Sequence, residues 1–479
     1  MCRVFLLLAS LFFMLTSCSQ NSCVHICTTI DAPWRLVSDT TLENSQTIDI
    51  IPLAIDLVDT CQVIEGFGAC FNELGWDALG YLSEEDRDGV LRELFQPDKG
   101  ANFTICRMPI AGNDFSRDWY SYAEVSGDYS MQHFSIEHDK ETLIPFIKSA
   151  LHLNPDIRIW ASPWCPPTWM KANGHYASRY QRNCRNDKFR NGLLLSQEGH
   201  EGTDMFLVDS LHLNAYALYF RKFIQAYREN GIDIFAVMPQ NEFNSAQVFP
   251  SCVWTARSLA EFVGKYLGPA MKDEGVEVMF GTMERANSLL VDTILQDPLA
   301  SSYVSGVGFQ WAGRKAIADV RKKYPQMRLL QTEQECGNGK NDWKGLLHSW
   351  DILKHFMDNG VSIYNYWNMA LLEGGVSRWG WAQNSLAVVD STRHTYRWTP
   401  EYYLMKHLSH FVKPGAHYIK TTGEASQSSI SFVNPDGQVI IIMVEQEGCD
   451  HWVEVSIASK KKESVFLRAN SINTICLRP

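Results

Sequence analysis

Several signatures are missing from this 479-residue chain: it has no HExxH pair, no phosphate-binding P-loop, no GxGxxG turn and no compact zinc-ligand spacing. Metal and nucleotide chemistry therefore have no foothold, and no cofactor is expected. A long basic run is absent too. Lys and Arg number 43 against 54 Asp and Glu, a formal charge of −11, which argues against nucleic acid as the main partner. Neither an internal repeat nor a low-complexity tract is visible. After Val4–Leu15, no apolar run is long enough to cross a bilayer. Charged residues are 20% and hydrophobic ones 45%, a balance that excludes a disordered or collagen-like chain.

What the chain does have is tryptophan, 15 in all, within an aromatic content of 12%. It also carries an address. Arg3, the apolar run Val4–Leu15 and Thr16-Ser17 read as an export signal over residues 1–17. Leu15-Thr16-Ser17-Cys18 resembles the bacterial lipobox, in which the Cys is acylated and becomes the mature N-terminus. The expectation is an exported chain lipid-anchored through Cys18 to the bacterial outer membrane, at the periplasmic face or the cell surface. A plain secretory signal with an incidental Cys is the alternative. Thirteen cysteines are present, and export permits disulfides, but spacing assigns no pairing. Cys23 and Cys27, and Cys165 and Cys184, are nearest neighbours; most of the others sit in apolar, strand-like contexts as small hydrophobes.

Residues 18–45 are polar and weakly patterned, as a tether would be. From there the chain alternates short β-like runs with amphipathic helical stretches. The strands are expected at Val63–Phe67, Phe103–Pro109, Ile157–Ser162, Ile232–Pro239, Val276–Thr282, Val304–Gln310, Met327–Glu333 and Val361–Trp367. Ser83 with acidic residues behind it reads as a helix start, and Asn359-Gly360 as a helix stop. Eight strands, each followed by a helix or long loop, point to an α/β fold, a (β/α)8 TIM barrel over residues 65–399. Residues 400–479 hold a barrel-closing helix and then short strands separated by turn signals such as Asn434-Pro435-Asp436-Gly437. These form a small β-sandwich, joined by the strand-like part of residues 46–64, so that both chain ends build it.

Barrel active sites lie at the C-terminal ends of the strands. Strand two ends at Arg107-Met108-Pro109 with Asp114 close behind, and strand three runs into Ser162-Pro163-Trp164. Strand four ends at Asn241-Glu242, strand seven at Thr332-Glu333, and strand eight at Trp367-Asn368. Two glutamates, Glu242 and Glu333, thus emerge on opposite sides of one barrel mouth. Glycoside hydrolysis needs such a pair, one carboxyl protonating the leaving oxygen and the other attacking the anomeric carbon. Trp164, Trp169, Trp311, Trp367, Trp379 and Trp381 fall around the same rim, where ring faces can stack on sugar C–H surfaces. Trp160, inside its strand, reads as core. Glu335 lies two residues after Glu333 and is the alternative for that position; the strand run Leu329–Thr332 favours Glu333.

These residues resemble glycoside hydrolase family 30, the group containing lysosomal glucosylceramidase and microbial β-1,6-glucanases. The matching pieces are Gly66-Phe67-Gly68-Ala69, Arg107-x-Pro109 with Asp114-Phe115-Ser116, Ser162-Pro163-Trp164 with Pro167–Lys171, Asn241-Glu242, Thr332-Glu333 and Trp367-Asn368-x-Ala370-Leu371. They occur in family order, and Phe411–Ala416 is similar to the family's barrel-to-sandwich junction. The resemblance implies a retaining mechanism on β-glucosidic bonds, with Glu242 as general acid/base and Glu333 as nucleophile. It also implies that Arg107 keeps the nucleophile ionised, that Asp114, Trp164 and Trp367 hold the terminal glucose, and that Asn241 binds its 2-hydroxyl. The partner would be a β-glucoside or β-glucan. A β-xylosidase, β-fucosidase or xylanase on the same scaffold is the alternative, and a non-catalytic glycan-binding lipoprotein a third reading. One departure bears on specificity. Where glucosylceramidase relatives carry His-Trp-Tyr after strand six, this chain has Gln310-Trp311-Ala312. The segment 373–381 adds Arg378, Trp379 and Trp381 at the rim and is expected to form a second sugar subsite.

Overall fold

The computed structural model describes residues 23–37, 50–184, 187–457 and 461–478. The signal segment and Cys18 lie outside the described residues. Among those described, eight parallel strands close into a barrel: Gly66–Cys70, Ile105–Ile110, Arg158–Pro163, Ile234–Val237, Glu277–Met283, Val304–Gln310, Arg328–Glu333 and Val361–Asn368. They follow chain order around the ring, and the eighth pairs with the first. Ile105, Trp160, Met238, Met279, Leu330 and Ile363 fill the interior as one cluster. Strands covered on both faces need no alternation of polar residues, which is why these runs read as continuously apolar.

The first strand begins later than expected, because Val63 ends a different strand, Ile50–Val63. Gly-Phe-Gly-Ala is suited to its place. A Cβ on Gly68 would stand 1.9 Å from the carbonyl oxygen of Ile105, so only glycine lets the first and second strands approach. The helix signals hold at both points read from sequence. Ser83 caps Glu84–Phe95 by accepting from Asp86 N–H, and Asn359-Gly360 ends Trp343–Asp358 with Gly360 at φ 87°.

The second layer is a nine-stranded sheet built from both ends of the chain. Its order is Lys461–Leu467, His451–Ile457, Ile50–Val63, His417–Thr422, Ser429–Val433, Val439–Glu445, Ser471–Leu477, Cys23–Thr28 and Arg35–Leu36. Strands from distant parts of this order share one apolar cluster, including Leu53, Val455, Ile441 and Ile475, so the sheet folds over itself as a sandwich. Val439–Glu445 is buried throughout. Val439, Ile441 and Met443 face the sandwich core, while Ile440, Ile442 and Val444 join the cluster that surrounds the barrel. Ser471–Leu477 does the same, with Ile475 and Leu477 in the sandwich core and Ile472 and Cys476 on the barrel side.

The tether expected over residues 18–45 is corrected here. Cys23–Thr28 is a strand paired antiparallel with Ser471–Leu477, from Cys23 opposite Leu477 to Thr28 opposite Ile472. Its sequence, CVHICT, hides the pattern because its polar groups are satisfied inside the fold: His25 Nε2 lies 2.9 Å from Asn473 Oδ1. None of the described cysteines forms a disulfide.

His407, on the helix Pro400–Ser409, links the two termini. Its fully buried ring lies 2.8 Å from the hydroxyl of Thr28 through Nε2 and 2.8 Å from that of Thr474 through Nδ1. Burial drives its pKa down from 6.5 to about 3, so the folded protein holds it neutral. Between those two values the unfolded chain binds a proton that the native one refuses. Stability should accordingly fall as pH drops from about 6.5 towards 3. In His407→Leu that decline should be shallower, and at neutral pH the variant should lose roughly 1–3 kcal/mol because two buried hydroxyls each lose their imidazole partner. Urea unfolding at stepped pH measures both effects.

Candidate active site

Arg107 leaves the second barrel strand with no exposed surface. Its Nη1 donates to Glu333 Oε2 at 2.6 Å and to the Thr332 carbonyl at 3.2 Å. Nη2 donates to Ser162 Oγ at 2.9 Å and to Asn241 Oδ1 at 2.7 Å. The guanidinium carbon lies 4.9, 4.5 and 5.3 Å from the ring centroids of Trp160, Trp164 and Trp367. Aromatic faces at this range attract a cation, and their bulk keeps water away. One side chain thus ties the ends of strands three, four and seven to that of strand two.

Around it, Gln310 at the end of strand six donates through Nε2 to Glu333 Oε2 at 3.0 Å, to Asn241 Oδ1 at 2.8 Å and to Thr282 Oγ1 at 3.1 Å. Thr282, in strand five, donates to Asn241 Oδ1 at 3.0 Å and accepts the Glu242 N–H at 2.9 Å. Glu242 itself has φ 44°, a left-handed conformation that is rare for a residue with a Cβ. The chain thus turns abruptly directly after Asn241, whose Oδ1 accepts from Arg107.

The two glutamates differ in their charge environment. Burial raises both carboxyl pKa values. At Glu333 the Arg107 guanidinium opposes that rise by attraction and by a hydrogen bond. At Glu242 burial acts first and the negative charges of Glu333 and Asp114 add to it, pushing it up to about 8. Glu333 therefore ionises first, and its charge then holds the proton on Glu242. Asp114 is also held well above the ordinary carboxylate range, chiefly by burial and then by Glu333. Its Oδ1 has no hydrogen-bond partner, and neither does the Trp367 indole N–H.

Arg107, Asp114, Trp164, Asn241, Glu242, Glu333 and Trp367 thus converge as the sequence suggests. Trp164 and Trp367 lie 5.2 Å apart, tilted by 34°. Trp311 follows Gln310 directly, half-buried, with its backbone N–H bonded to the Glu333 carbonyl at 3.2 Å. Glu335 points elsewhere and pairs with His348 at 2.6 Å. The rim tryptophans divide. Trp381 is 53% exposed, but the ring of Trp379 is buried edge-on against Trp119 at 4.9 Å and Phe189 at 5.3 Å. Trp379 is therefore an aromatic wall and not a free stacking platform. Trp169 likewise packs on Tyr129 and donates its N–H to the Ala123 carbonyl. Ser162 and Thr282 are site residues that sequence reasoning missed; Gln310 stood out there only as a departure from the His-Trp-Tyr of glucosylceramidase relatives, without a role. All three sit at or beside strand ends, so reading the end of strand five as closely as that of strand four would have found Thr282. Among the described residues, no three His, Cys, Asp or Glu side chains group to hold a metal ion.

Comparison with known proteins places this geometry. Residues 64–412 match the model of the glycosyl hydrolase family 30 TIM-barrel domain, and residues 415–475 that of the family 30 beta sandwich domain. The chain belongs to glycosyl hydrolase family 30. It is a retaining glycoside hydrolase by that membership. The family 30 chain is 28% identical to putative glucosylceramidase 1 of Caenorhabditis elegans over 421 residues, 82% of this chain and 76% of that one. It is 26% identical to an endo-1,6-beta-D-glucanase of Aspergillus fumigatus over 434 residues, 86% of this chain and 84% of the other. Among solved structures, SrfJ from Salmonella typhimurium superposes with a TM-score of 0.81 at 22% identity, covering 95% of this chain and all of that one. The endo-beta1,6-glucanase BT3312 gives 0.79 at 23%, covering 96% and 100%.

Arg107→Met should leave the Glu333 carboxylate buried without its cation. Breaking such a pair costs about 3–5 kcal/mol, measurable by denaturant unfolding at neutral pH. The penalty should shrink as the pH is lowered and Glu333 takes up a proton.

Proposed function

We propose that this family 30 enzyme cleaves β-glucosidic bonds by double displacement, with Glu333 as nucleophile and Glu242 as general acid/base. The unequal surroundings of the two carboxyls carry the assignment: one is bonded to a guanidinium, and the other is pushed up to about 8 by burial and its anionic neighbours. Near neutral pH Glu242 holds a proton and gives it to the leaving oxygen while Glu333 attacks the anomeric carbon. Glu242, now ionised, deprotonates the water that hydrolyses the glycosyl ester. Asp114, Trp164 and Trp367 bind the terminal sugar, Asp114 through a carboxyl oxygen that no protein group occupies. Asn241 Oδ1 already accepts from Arg107, Thr282 and Gln310, so its amide N–H₂ is the group left to donate to the sugar 2-hydroxyl.

We assign the substrate to a β-glucan or short β-glucoside. Glucosylceramidases and endo-1,6-beta-D-glucanases among the relatives support β-glucosidic linkages. Glu242→Gln should lose about 10²–10⁴-fold in kcat/KM on substrates with poor leaving groups while sparing kcat/KM on activated aryl glucosides, whose kcat falls because the glycosyl ester is left without its base. The rate should fall as pH rises through about 8, because the acid must be protonated. A fluoro-sugar trap should label Glu333; label on Glu335 would overturn the assignment. Cleavage of glucosylceramide with no action on gentiobiose or β-1,6-glucan would overturn the substrate reading.

The Leu15–Cys18 motif supports an exported lipoprotein, anchored through Cys18. Cys18→Ser should move the protein from the membrane to the soluble fraction, and an unchanged distribution would exclude the anchor.

A further inference from the structure

A continuous run of hydrogen bonds joins the two glutamates, and neither carboxyl lies in its middle. From the Glu242 N–H it passes to Thr282 Oγ1, from the Thr282 hydroxyl to Asn241 Oδ1, and from Gln310 Nε2 to both Asn241 Oδ1 and Glu333 Oε2. Thr282 and Gln310 are fully buried, in neighbouring strands five and six. The direction of each bond is determined. Arg107 can only donate, so Asn241 must present its oxygen there, and Thr282 and Gln310 must donate to that same oxygen. With its hydrogen committed to Asn241, the Thr282 oxygen is free to accept the Glu242 N–H.

We propose that Thr282 and Gln310 form a positioning pair that sets Glu242 against Glu333, resting on the catalytic assignment made above. Two observations carry this. Glu242 sits in a left-handed conformation that its own side chain does not favour, so an external group must hold it, and the Thr282 hydroxyl is bonded to its N–H. Arg107 holds Glu333, Asn241 and Ser162 but makes no bond to Glu242 or its backbone. Beyond the peptide bond from Asn241, the hydrogen-bonded link from the Arg107 cluster to Glu242 runs through Thr282, and Gln310 braces that link against Glu333. An amide suits the task because it donates at every pH. It favours the ionised form of Glu333 without adding a titrating proton of its own. The titratable and charged groups around Glu333 are Arg107, Asp114, Glu242 and the Cys70 thiol; around Glu242 they are Glu333, Asp114, Arg107 and Arg285.

The test uses the whole enzyme with an aryl β-glucoside, reading kcat, KM, the pH profile and thermal stability for each variant. Thr282→Val keeps the shape and removes the hydroxyl, whereas Thr282→Ser keeps the hydroxyl. Thr282→Val should lower kcat roughly tenfold or more with little change in KM, and Thr282→Ser should restore most of it. Gln310→Met should lower kcat and move the acid limb of the profile to higher pH, since Glu333 loses a donor. The double variant should lose less than the product of the two single losses, because both act on one network.

Equal losses in Thr282→Val and Thr282→Ser, or an unmoved acid limb in Gln310→Met, would overturn the proposal. So would losses that multiply independently. Where Thr282→Val fails to fold, Thr282→Ala is compared with Thr282→Ser in the same way. Activity surviving in Glu333→Gln would instead defeat the catalytic assignment. Inactive Glu333→Gln beside unaltered Thr282 and Gln310 variants would defeat the positioning pair alone.

Discussion

A single buried cation organises the mouth of this barrel. An arginine with no exposed surface is costly unless its donors are matched, and Arg107 meets acceptors from strands three, four and seven. Each of those acceptors is placed by the same guanidinium, so the strand ends are registered to one another through it. Three indole faces complete its surroundings. Part of the chain's wealth of tryptophan is therefore consumed in holding an arginine. A place at the rim therefore does not by itself make a ring a stacking platform.

The same constraint separates the chemistry of the two glutamates. Burial pushes both carboxyls towards the protonated form. Contact with Arg107 distinguishes one of them, and the charge of that one then acts on the other. Identical side chains a few strands apart thus come to differ in charge through a difference in one neighbour.

Much of this was legible in the chain. The eight barrel strands stand out because doubly covered strands are continuously apolar, and the residues at their ends named most of the site. Glu333 could be preferred to Glu335 from the length of its strand, and the ion pair of Glu335 with His348 agrees. Local pattern failed in two ways. Cys23–Thr28 looked like a tether because a strand that buries His25 against Asn473 carries no apolar alternation, and its partner lies some 450 residues away in sequence. Trp379 looked like a platform because position at a rim says nothing of which neighbours, here Trp119 and Phe189, cover the ring. Thr282 escaped, and Gln310 was noticed only as a departure without a role, because a neutral side chain has no signature until its hydrogen-bond partners are known.

The strand Val439–Glu445 has one face in the sandwich and the other against the barrel. Cutting between the two units would expose isoleucines on whichever piece kept that strand, and His407 would lose the hydroxyls of both termini. The sandwich is thus no detachable module of the kind that can be shuffled onto other enzymes. Cys23–Thr28 can take its place beside Ser471–Leu477 only after nearly 450 intervening residues have been made, so the N-terminal strand is among the last to find its partner.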